Sequence, residues 1–492
     1  NCFDAPKFYD PLSKNIDDIR TRHANQHIPM IIGALRSYKS NHKPYYYNLA
    51  ENFWRLVQGR YMYAMGGVGN GEMFRQPYTQ ILSMATNGLQ EGESQAYPDI
   101  NETCCAYNLV KLSKDLNCYN PDNAQYLDYI ERTLYNQIIG SLNPDQYQTC
   151  YQYAVGLNAT KPFGNETPQS TCCGGTGSEN HTKYQQSAYF ANDHTLWVGL
   201  YMPTTLHWKE KGVTIKQDCL WPAQHSAIKI TEGEGDFTLK LRVPYWATQG
   251  FSIKVNGKEV AKSYQPSTYV ELDQKHWKAG DVVEIDMPFS KHIEYGADKL
   301  SSDVASLDGT PLKASWVGTL MYGPLVMAGT GAQTWNQATL NIDSRLSNIT
   351  VGESNGVTTG AGANLLTLKL DGKEFQPDYY RNANSTHYYR INLTDAKSKK
   401  SKKVTQNELE GTTAILNRAI NTMRPGNLAE MENLRELSGL LRRAGWPDEN
   451  TSAELKDAIS YGRMVQKYVT DGSGTHDMIH AAVGKLKKAM KQ

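Results

Sequence analysis

The sequence predicts a multidomain protein with a helical N-terminal part, antiparallel β structure in the middle and a helical bundle at the C-terminal end. The chain has 492 residues, too many for one compact hydrophobic core, so two to four domains are expected. Near residue 195 the period of the apolar residues changes from about 3.6, typical of helices, to about 2, typical of strands. A lysine-rich run near residue 400 precedes a last helical segment.

Residues 1–190 are predicted to form helices joined by long loops. Three segments carry apolar residues at helical spacing. These are Leu49, Phe53, Trp54, Leu56 and Val57 in the first, Leu109, Val110, Leu112 and Leu116 in the second, and the stretch from Tyr126 to Ile139 in the third.

Residues 191–330 are predicted to form an antiparallel β-sandwich. Leu239, Leu241 and Val243 alternate with the charged Lys240 and Arg242, as in a strand with one buried face. The dipeptide that follows Val255 is Asn256-Gly257, a strong signal for a two-residue hairpin because both positions tolerate a positive φ. Residues 331–396 are predicted to be an additional β region.

The run from Lys397 to Lys403 contains five lysines and two serines. Such a run cannot bury itself, so residues 397–404 are predicted to be a solvated linker. Amphipathic segments then recur through residues 405–492, which are predicted to form a helical bundle with no catalytic feature.

The composition excludes several classes of function. The formal net charge is +1, with 51 basic and 50 acidic residues, and no basic patch interleaved with aromatic residues indicates nucleic-acid binding. No apolar run approaches the ~20 residues of a membrane-spanning helix. The 31 tyrosines and 9 tryptophans suit sugar recognition because these rings have a polar edge, although tyrosine-rich extracellular proteins are also common.

Half of the eight cysteines lie in two short segments, Glu102-Thr-Cys104-Cys105 and Cys172-Cys173-Gly174. Glu102 and Cys104 can converge only where the chain is extended just before a helix, whose N-terminus stabilises thiolates. Three thiolates and one carboxylate would complete a tetrahedral zinc site. Disulfides are the alternative, and the spacing alone does not decide between the two. The possible disulfide partners are Cys2, Cys118, Cys150 and Cys219.

Several motifs in order resemble those of glycoside hydrolase families 127 and 146, the cysteine-nucleophile, zinc-dependent β-L-arabinofuranosidases. The resemblance covers roughly residues 10–330. The motifs in the helical part are His23-Ala-Asn-Gln-His-Ile-Pro29, Glu51-Asn-Phe-Trp54, Gly66-Gly67, Gly71-Glu72-Met-Phe74, Glu102-Thr-Cys104, Tyr107-Asn108, Glu131-Arg-Thr-Leu-Tyr-Asn136, Cys172-Cys173, Gly175-Thr-Gly177 and Glu179-Asn-His181. Those in the β part are Trp208-Lys-Glu-Lys-Gly212, Val255-Asn-Gly257 and Tyr322-Gly-Pro-Leu325.

The resemblance implies a role for each of several residues. Zn²⁺ would be bound by Glu102, Cys104, Cys172 and Cys173. The nucleophile would be Cys172 and the general acid/base Glu72, while the sugar hydroxyls would be held by His23, Glu131 and Tyr153. Four of these positions also have a structural alternative: Glu72 as a solvated loop carboxylate, Glu131 as a helix cap or ion pair, His23 as a core histidine and Tyr153 as a packing ring.

The resemblance further implies a retaining exo-glycosidase that hydrolyses β-L-arabinofuranosides of plant glycans and is secreted, periplasmic or attached to the cell surface. Its partner is then a carbohydrate substrate. Two alternatives stay open. The same fold can act on another furanoside, or the protein can be a non-catalytic, zinc-containing glycan-binding protein that has no need of an acid/base at Glu72.

The catalytic part departs from the family at its beginning. The family builds an (α/α)6 barrel of twelve helices, whereas residues 1–190 supply about six, the C-terminal half of such a barrel. We therefore expect a second chain or an upstream segment to complete the barrel. Seven apolar residues are expected to need partners from outside this chain: Tyr47, Phe53, Trp54, Leu109, Leu112, Leu134 and Ile138.

Overall fold

The structure is a computed structural model. The residues that it describes are 5–75, 77–81, 101–143, 148–163, 171–262, 264–296, 316–331, 334–343, 345–358, 364–381, 385–394, 437, 440–441, 443–444, 447–449, 451–470 and 476–490. The predicted linker, residues 397–404, lies outside this part of the chain.

Six α-helices are described within residues 1–190, the number expected for half of a twelve-helix barrel. They are α1 (Pro6–Ser13), α2 (Ala24–Asn41), α3 (Pro44–Arg60), α4 (Thr103–Asn117), α5 (Gln125–Thr133) and α6 (Cys172–Asn180). A π-helical segment (Leu134–Ile138) and a 3-10 turn (Ile139–Ser141) continue α5 directly.

The chain divides into two units. The first comprises residues 1–22, 29–60 and 416–492. Within it, α1 packs against α3: the Phe8 and Phe53 ring centroids are 6.4 Å apart, and the Asn52 side-chain amide donates to the Leu12 carbonyl at 2.6 Å. Arg60 at the end of α3 forms a buried ion pair with Asp17 at 2.9 Å.

The described C-terminal part of the first unit is helical, as the sequence predicts. It contains α7 (Ala453–Thr470) and α8 (His476–Ala489). These helices share an apolar cluster that is buried throughout: Leu437, Leu440, Leu441, Ala458, Ile459, Val465, Ile479, Ala482, Val483, Leu486 and Ala489.

The second unit comprises residues 23–28 and 61–415 and contains all the described β-sheets. The first twelve strands are β1 (Tyr189–Ala191), β2 (Thr195–Val198), β3 (Thr204–Trp208), β4 (Val213–Asp218), β5 (His225–Glu232), β6 (Glu234–Asp236), β7 (Thr238–Val243), β8 (Ser252–Val255), β9 (Lys258–Glu259), β10 (Thr268–Glu271), β11 (His276–Lys278) and β12 (Val282–Asp286). They form a four-stranded sheet in the order β1-β2-β7-β10, a six-stranded sheet in the order β3-β4-β5-β12-β8-β9 and a pair of β6 with β11.

The remaining strands form one large sheet. They are β13 (Lys291–Tyr295), β14 (Val317–Tyr322), β15 (Leu325–Thr330), β16 (Thr339–Ile342), β17 (Thr350–Thr358), β18 (Asn364–Leu370), β19 (Lys373–Pro377), β20 (Ser385–Thr386) and β21 (Tyr389–Leu393). The order is β16-β21-β14-β15-β19-β18-β17, with β13 on β14 and β20 on β15. The sheet therefore crosses the boundary expected at residue 330, and β13 to β15 belong with the later strands.

The hairpin expected at Asn256-Gly257 is confirmed. Val255 of β8 pairs with Lys258 of β9, and both turn residues have positive φ, 50° at Asn256 and 78° at Gly257. The alternation along β7 holds with one exception. Arg242, expected to face solvent, is completely buried because Asp128 and Glu131 accept from its guanidinium group.

The expectation that seven apolar residues lack partners within the chain is wrong for six of them. Phe53, Trp54, Leu109, Leu112, Leu134 and Ile138 are all buried, and only Tyr47 is half-buried. These faces therefore find cover inside the chain itself. Among the described helices, none has the length and apolar character needed to cross a membrane.

Candidate active site

Two helix N-termini carry the candidate metal ligands. Glu102 is the residue before the first turn of α4, which contains Cys104, and Cys172 and Cys173 open α6. The Thr171 hydroxyl accepts a hydrogen bond from the Gly174 amide at 3.0 Å and so caps α6. Anionic side chains are favoured at such positions because the unpaired N–H groups and the helix dipole present positive charge.

The four donor groups lie together, with all ligand atoms within 4.8 Å of one another. The Cys104 and Cys173 sulfurs are 3.1 Å apart. The Glu102 carboxylate oxygen Oε1 lies 3.5 Å from the Cys172 sulfur and 3.7 Å from the Cys173 sulfur. Glu102, Cys104 and Cys173 are buried, whereas Cys172 is exposed.

This donor set fits a tetrahedral divalent cation. Four ligands at the usual ~2.0–2.3 Å from zinc lie roughly 3.3–3.8 Å from one another, close to the 3.1, 3.5 and 3.7 Å of the three pairs above. The group could therefore hold a metal ion through one carboxylate oxygen and three sulfurs.

The electrostatics of the cluster without a cation point the same way. Burial raises the pKa of Cys172 to about 11, and the neighbouring Cys104 adds to this shift. Burial, followed by the charge of Glu72, raises the pKa of Glu102. Hydrogen bonding with Cys173, by contrast, lowers the pKa of Cys104. A nearby cation would favour the ionised forms of all four groups.

The disulfide alternative finds no support in the two motifs, because Cys104, Cys105, Cys172 and Cys173 form no disulfide with another described cysteine. The Cys104 and Cys173 sulfurs are 3.1 Å apart, well beyond the ~2.05 Å of a disulfide. Cys2 lies outside the described residues.

Glu72 lies on a tight turn that aims its side chain at the cluster. Its φ is +64°, a left-handed conformation that costs a non-glycine residue about 1–2 kcal/mol. Its carbonyl accepts from the Ala24 amide at 2.8 Å, and His23 forms a bridge with Met73. These contacts hold the strained turn in place, as is common at functional sites.

Two side chains hold the Glu72 carboxylate. His23 Nε2 lies 3.1 Å from Oε2, so the structure brings this predicted residue to the site. The Tyr151 hydroxyl donates to Oε1 at 2.5 Å and also hydrogen-bonds the Cys172 side chain. Tyr151 therefore connects the candidate acid/base with the candidate nucleophile.

Glu131 is not brought to this site. It is 2% exposed, and its carboxylate accepts from Arg242 Nη2 at 2.6 Å and from the Trp246 indole at 2.8 Å. Both partners come from the β part. Because the carboxylate is buried and is held by these two donors, we do not assign Glu131 to substrate binding.

Tyr153 is not brought to the site either. It is completely buried, and its hydroxyl donates to Asp378. The residue missed by sequence reasoning is Tyr151, two positions earlier. The pattern Tyr151-Gln-Tyr153 indicates an aromatic residue near the cysteines, but the sequence alone does not distinguish which of the two rings faces them.

Comparisons with known proteins identify the family of the chain. The family model of the β-L-arabinofuranosidase GH127 catalytic domain matches residues 1–186, and that of the GH127 middle domain matches residues 195–289. Together they match more than half of the chain. The chain belongs to glycoside hydrolase family 127. The family's middle-domain match contains β2 to β12 and ends before the nine-stranded sheet.

A curated relative is the non-reducing end β-L-arabinofuranosidase of Bifidobacterium longum subsp. longum, which is 22% identical over 303 residues. The match covers 56% of this chain and 41% of the relative, so the chain spans less than half of that enzyme's length.

Solved structures of glycoside hydrolases share the fold. A structure described as a glycoside hydrolase superimposes with a TM-score of 0.59 at 17% identity, covering 76% of this chain and 67% of that one. A GH127 β-L-arabinofuranosidase from Geobacillus stearothermophilus T6 gives 0.56 at 16% identity, covering 77% and 61%. A further GH127 β-arabinofuranosidase gives 0.55 at 20% identity, covering 76% and 61%.

Proposed function

We propose that this chain carries the catalytic centre of a retaining exo-glycosidase that hydrolyses β-L-arabinofuranosides, with Cys172 as nucleophile and Glu72 as acid/base. The observation that supports this most is the difference in exposure within the donor set. Cys172 is exposed while the other three donors are buried. A purely structural metal centre has no need to present one thiolate to solvent beside a carboxylate held by Tyr151.

Glu102, Cys104, Cys172 and Cys173 would hold the metal, which we propose is Zn²⁺ because thiolate-rich tetrahedral sites favour it. When bound, the ion keeps the thiolates deprotonated at neutral pH and lowers their susceptibility to oxidation. The donor set and the raised pKa of Cys172 both fit this role.

The first half of the reaction joins the Cys172 sulfur to the anomeric carbon and breaks the bond from that carbon to the leaving oxygen. Glu72 in its acid form gives its proton to that oxygen, so the aglycone leaves as a neutral alcohol. His23 and Tyr151, which contact the Glu72 oxygens, hold the carboxyl in place for this transfer.

The second half regenerates the enzyme. Glu72, now ionised, takes a proton from water, the water oxygen bonds to the anomeric carbon, and the carbon–sulfur bond breaks to return the thiolate. Two displacements at one carbon leave its configuration retained.

Two measurements on the purified chain test the proposal. We expect about one zinc per molecule by elemental analysis, and release of nitrophenol from p-nitrophenyl β-L-arabinofuranoside that is lost when a chelator removes the metal. Zinc without hydrolysis would favour a glycan-binding protein, and hydrolysis of a different furanoside would change the sugar but keep the mechanism. Hydrolysis that persists in metal-free protein would contradict it.

A further inference from the structure

The short segment that carries Tyr151 is paired with the segment that carries Glu102. The Thr103 amide donates to the Tyr151 carbonyl at 3.0 Å, and the Tyr153 amide donates to the Asn101 carbonyl at 2.8 Å. Glu102 and Gln152 form an antiparallel bridge between these two bonds. A displacement of residues 150–153 would therefore move Tyr151 and Glu102 together.

The far end of this segment reaches into a buried ionic cluster. Asp378 accepts from Tyr153 through Oδ2, while its Oδ1 lies 2.8 Å from Arg381 Nε and 2.8 Å from His387 Nε2. The side chains of Asp378, Arg381 and His387 are each at most 1% exposed. Charged hydrogen bonds in a dry environment fix geometry more firmly than those at a surface.

The same cluster holds the backbone that follows Tyr153. Arg381 donates through Nη1 to the Ala159 carbonyl at 2.7 Å and through Nη2 to the Ala154 carbonyl at 3.2 Å. Lys161 Nζ donates to the Asp378 carbonyl at 2.8 Å. Residues 153–161 are thus tied to residues 378–381 at several points.

Two further features leave little freedom at this junction. Ala159 and Ser385 exchange backbone hydrogen bonds of 2.8 and 3.0 Å. A Cβ on Gly140 would lie 2.4 Å from the Tyr153 hydroxyl oxygen and 3.1 Å from Tyr379 Cα. The Tyr153 side chain is therefore packed closely against Gly140, in the 3-10 turn that follows α5, and cannot move toward it.

We infer that the buried cluster of Asp378, Arg381, His387, Lys161 and Tyr153 is an anchor that positions Tyr151 against Glu72 and Cys172. The anchor lies in part outside the segments matched by the family's catalytic and middle domains, which end at residue 289. Asp378 and Tyr153 are then positioning residues for the reaction, an inference that rests on the proposed function.

A double-mutant cycle tests whether the anchor acts through Tyr151. Tyr153→Phe removes only the hydroxyl that Asp378 accepts from, and we expect kcat to fall about tenfold with KM nearly unchanged, since small misplacement of a catalytic group is costly. In the Tyr151→Phe background the same substitution is expected to change kcat less than about twofold, because coupled sites are not additive.

Tyr201→Phe is the matched control. It also removes a buried tyrosine hydroxyl, which donates to the Arg242 carbonyl at 2.6 Å, but lies in the β part away from the 150–153 segment. Its kcat is expected to equal that of the unaltered protein. Equal and additive losses from Tyr153→Phe in both backgrounds would overturn the inference.

A readout independent of turnover separates this inference from the proposed function. Amide hydrogen exchange in a peptide covering residues 150–161 should be faster in Tyr153→Phe than in Tyr201→Phe. If the unaltered protein hydrolyses nothing but this difference is present, the proposed function fails and the anchor stands. If exchange is identical in the two variants, the anchor is overturned whatever the activity.

Discussion

Glu102 and Glu131 are both buried glutamates of the catalytic part, yet their surroundings differ in kind. The Glu131 carboxylate accepts hydrogen bonds from the Arg242 guanidinium group and the Trp246 indole N–H, both in the β part. Glu102 lies among three thiols and feels the like charge of Glu72, and burial together with that charge raises its pKa. The Glu131 carboxylate has its counter-ion within the chain, whereas Glu102 belongs to a group of donors that could hold a metal ion.

The difference supports the proposal that Glu102 belongs to the catalytic centre and indicates that Glu131 stabilises the fold. Both glutamates belong to family motifs, so the motif alone does not distinguish the two roles. The partners do: those of Glu131 are contributed by the chain, and we propose that Glu102 takes a metal ion as its partner. Substitutions on each side of this comparison should therefore change different observables.

The largest effect is expected from Cys172→Ser. Serine is a poorer nucleophile and a poorer metal ligand, so turnover should fall by about 10⁴-fold or more, the scale found when an enzyme loses its nucleophile. Hydrolysis of the nitrophenyl glycoside measures this loss. The fold should persist, because Cys172 is the exposed member of the set, and a circular dichroism spectrum unlike that of the unaltered protein would invalidate the interpretation.

Glu72→Gln should produce the next largest effect. Loss of general acid–base catalysis should reduce kcat by about 10²- to 10⁴-fold on a substrate with a poor leaving group. Zinc content should stay the same because Glu72 is not among the four donor residues. Full activity on an unactivated glycoside, or loss of the metal, would show that the role belongs elsewhere.

Arg242→Met addresses the structural side of the comparison. It leaves Asp128 and Glu131 as buried anions without their guanidinium partner, which should lower the free energy of unfolding by about 3–5 kcal/mol. Urea unfolding measures the change. KM of the folded fraction should be unaltered, and a raised KM at unchanged stability would restore the substrate-binding role of Glu131.

A smaller effect concerns the pH dependence of stability at Lys161, whose neighbours include Asp378, Arg381 and Tyr153. Burial lowers its pKa to about 7, against ~10.4 in an unfolded chain. Between these values the unfolded state binds more protons, so the free energy of unfolding should rise with pH from about 7 to 10, by up to ~1.4 kcal/mol per unit.

Lys161→Met should remove this contribution. The slope of the free energy of unfolding against pH is then compared between the unaltered protein and the variant, and the difference between the two slopes is the contribution of Lys161 alone. Urea unfolding at pH 7, 8 and 9 for both proteins provides the comparison. Parallel slopes would mean that Lys161 stays charged in the folded protein throughout this range.

The donor set, Glu72 and His23 were predicted from the resemblance of short motifs to a family, since spacing alone did not decide between a metal site and disulfides. The structure brings the four donor groups together and places His23 beside Glu72. Glu102 precedes a helix, Cys172 opens one, and Glu72 follows a glycine in a tight turn. The change of period near residue 195 similarly predicted where strands begin, and Asn256-Gly257 predicted its own hairpin.

What the sequence could not show are contacts between distant residues. Glu131 meets Arg242 across 111 positions, and Tyr153 meets Asp378 across 225. The alternation of apolar and charged residues in β7 predicted that Arg242 faces solvent. This prediction failed because the spacing of apolar residues does not reveal that a charged side chain has buried counter-ions, here Asp128 and Glu131. The choice between Tyr151 and Tyr153 likewise depends on a partner that only the folded chain supplies.

The central claim is that Cys172 becomes covalently bonded to the sugar, and intact-protein mass spectrometry of the Glu72→Gln variant tests it most directly. With the nitrophenyl glycoside the leaving group needs no acid, so the first displacement proceeds, while the absence of a base delays release. The account predicts a mass increase of one pentosyl group that peptide mapping assigns to Cys172. An adduct on another residue, or rapid turnover with no adduct at any time, would contradict it.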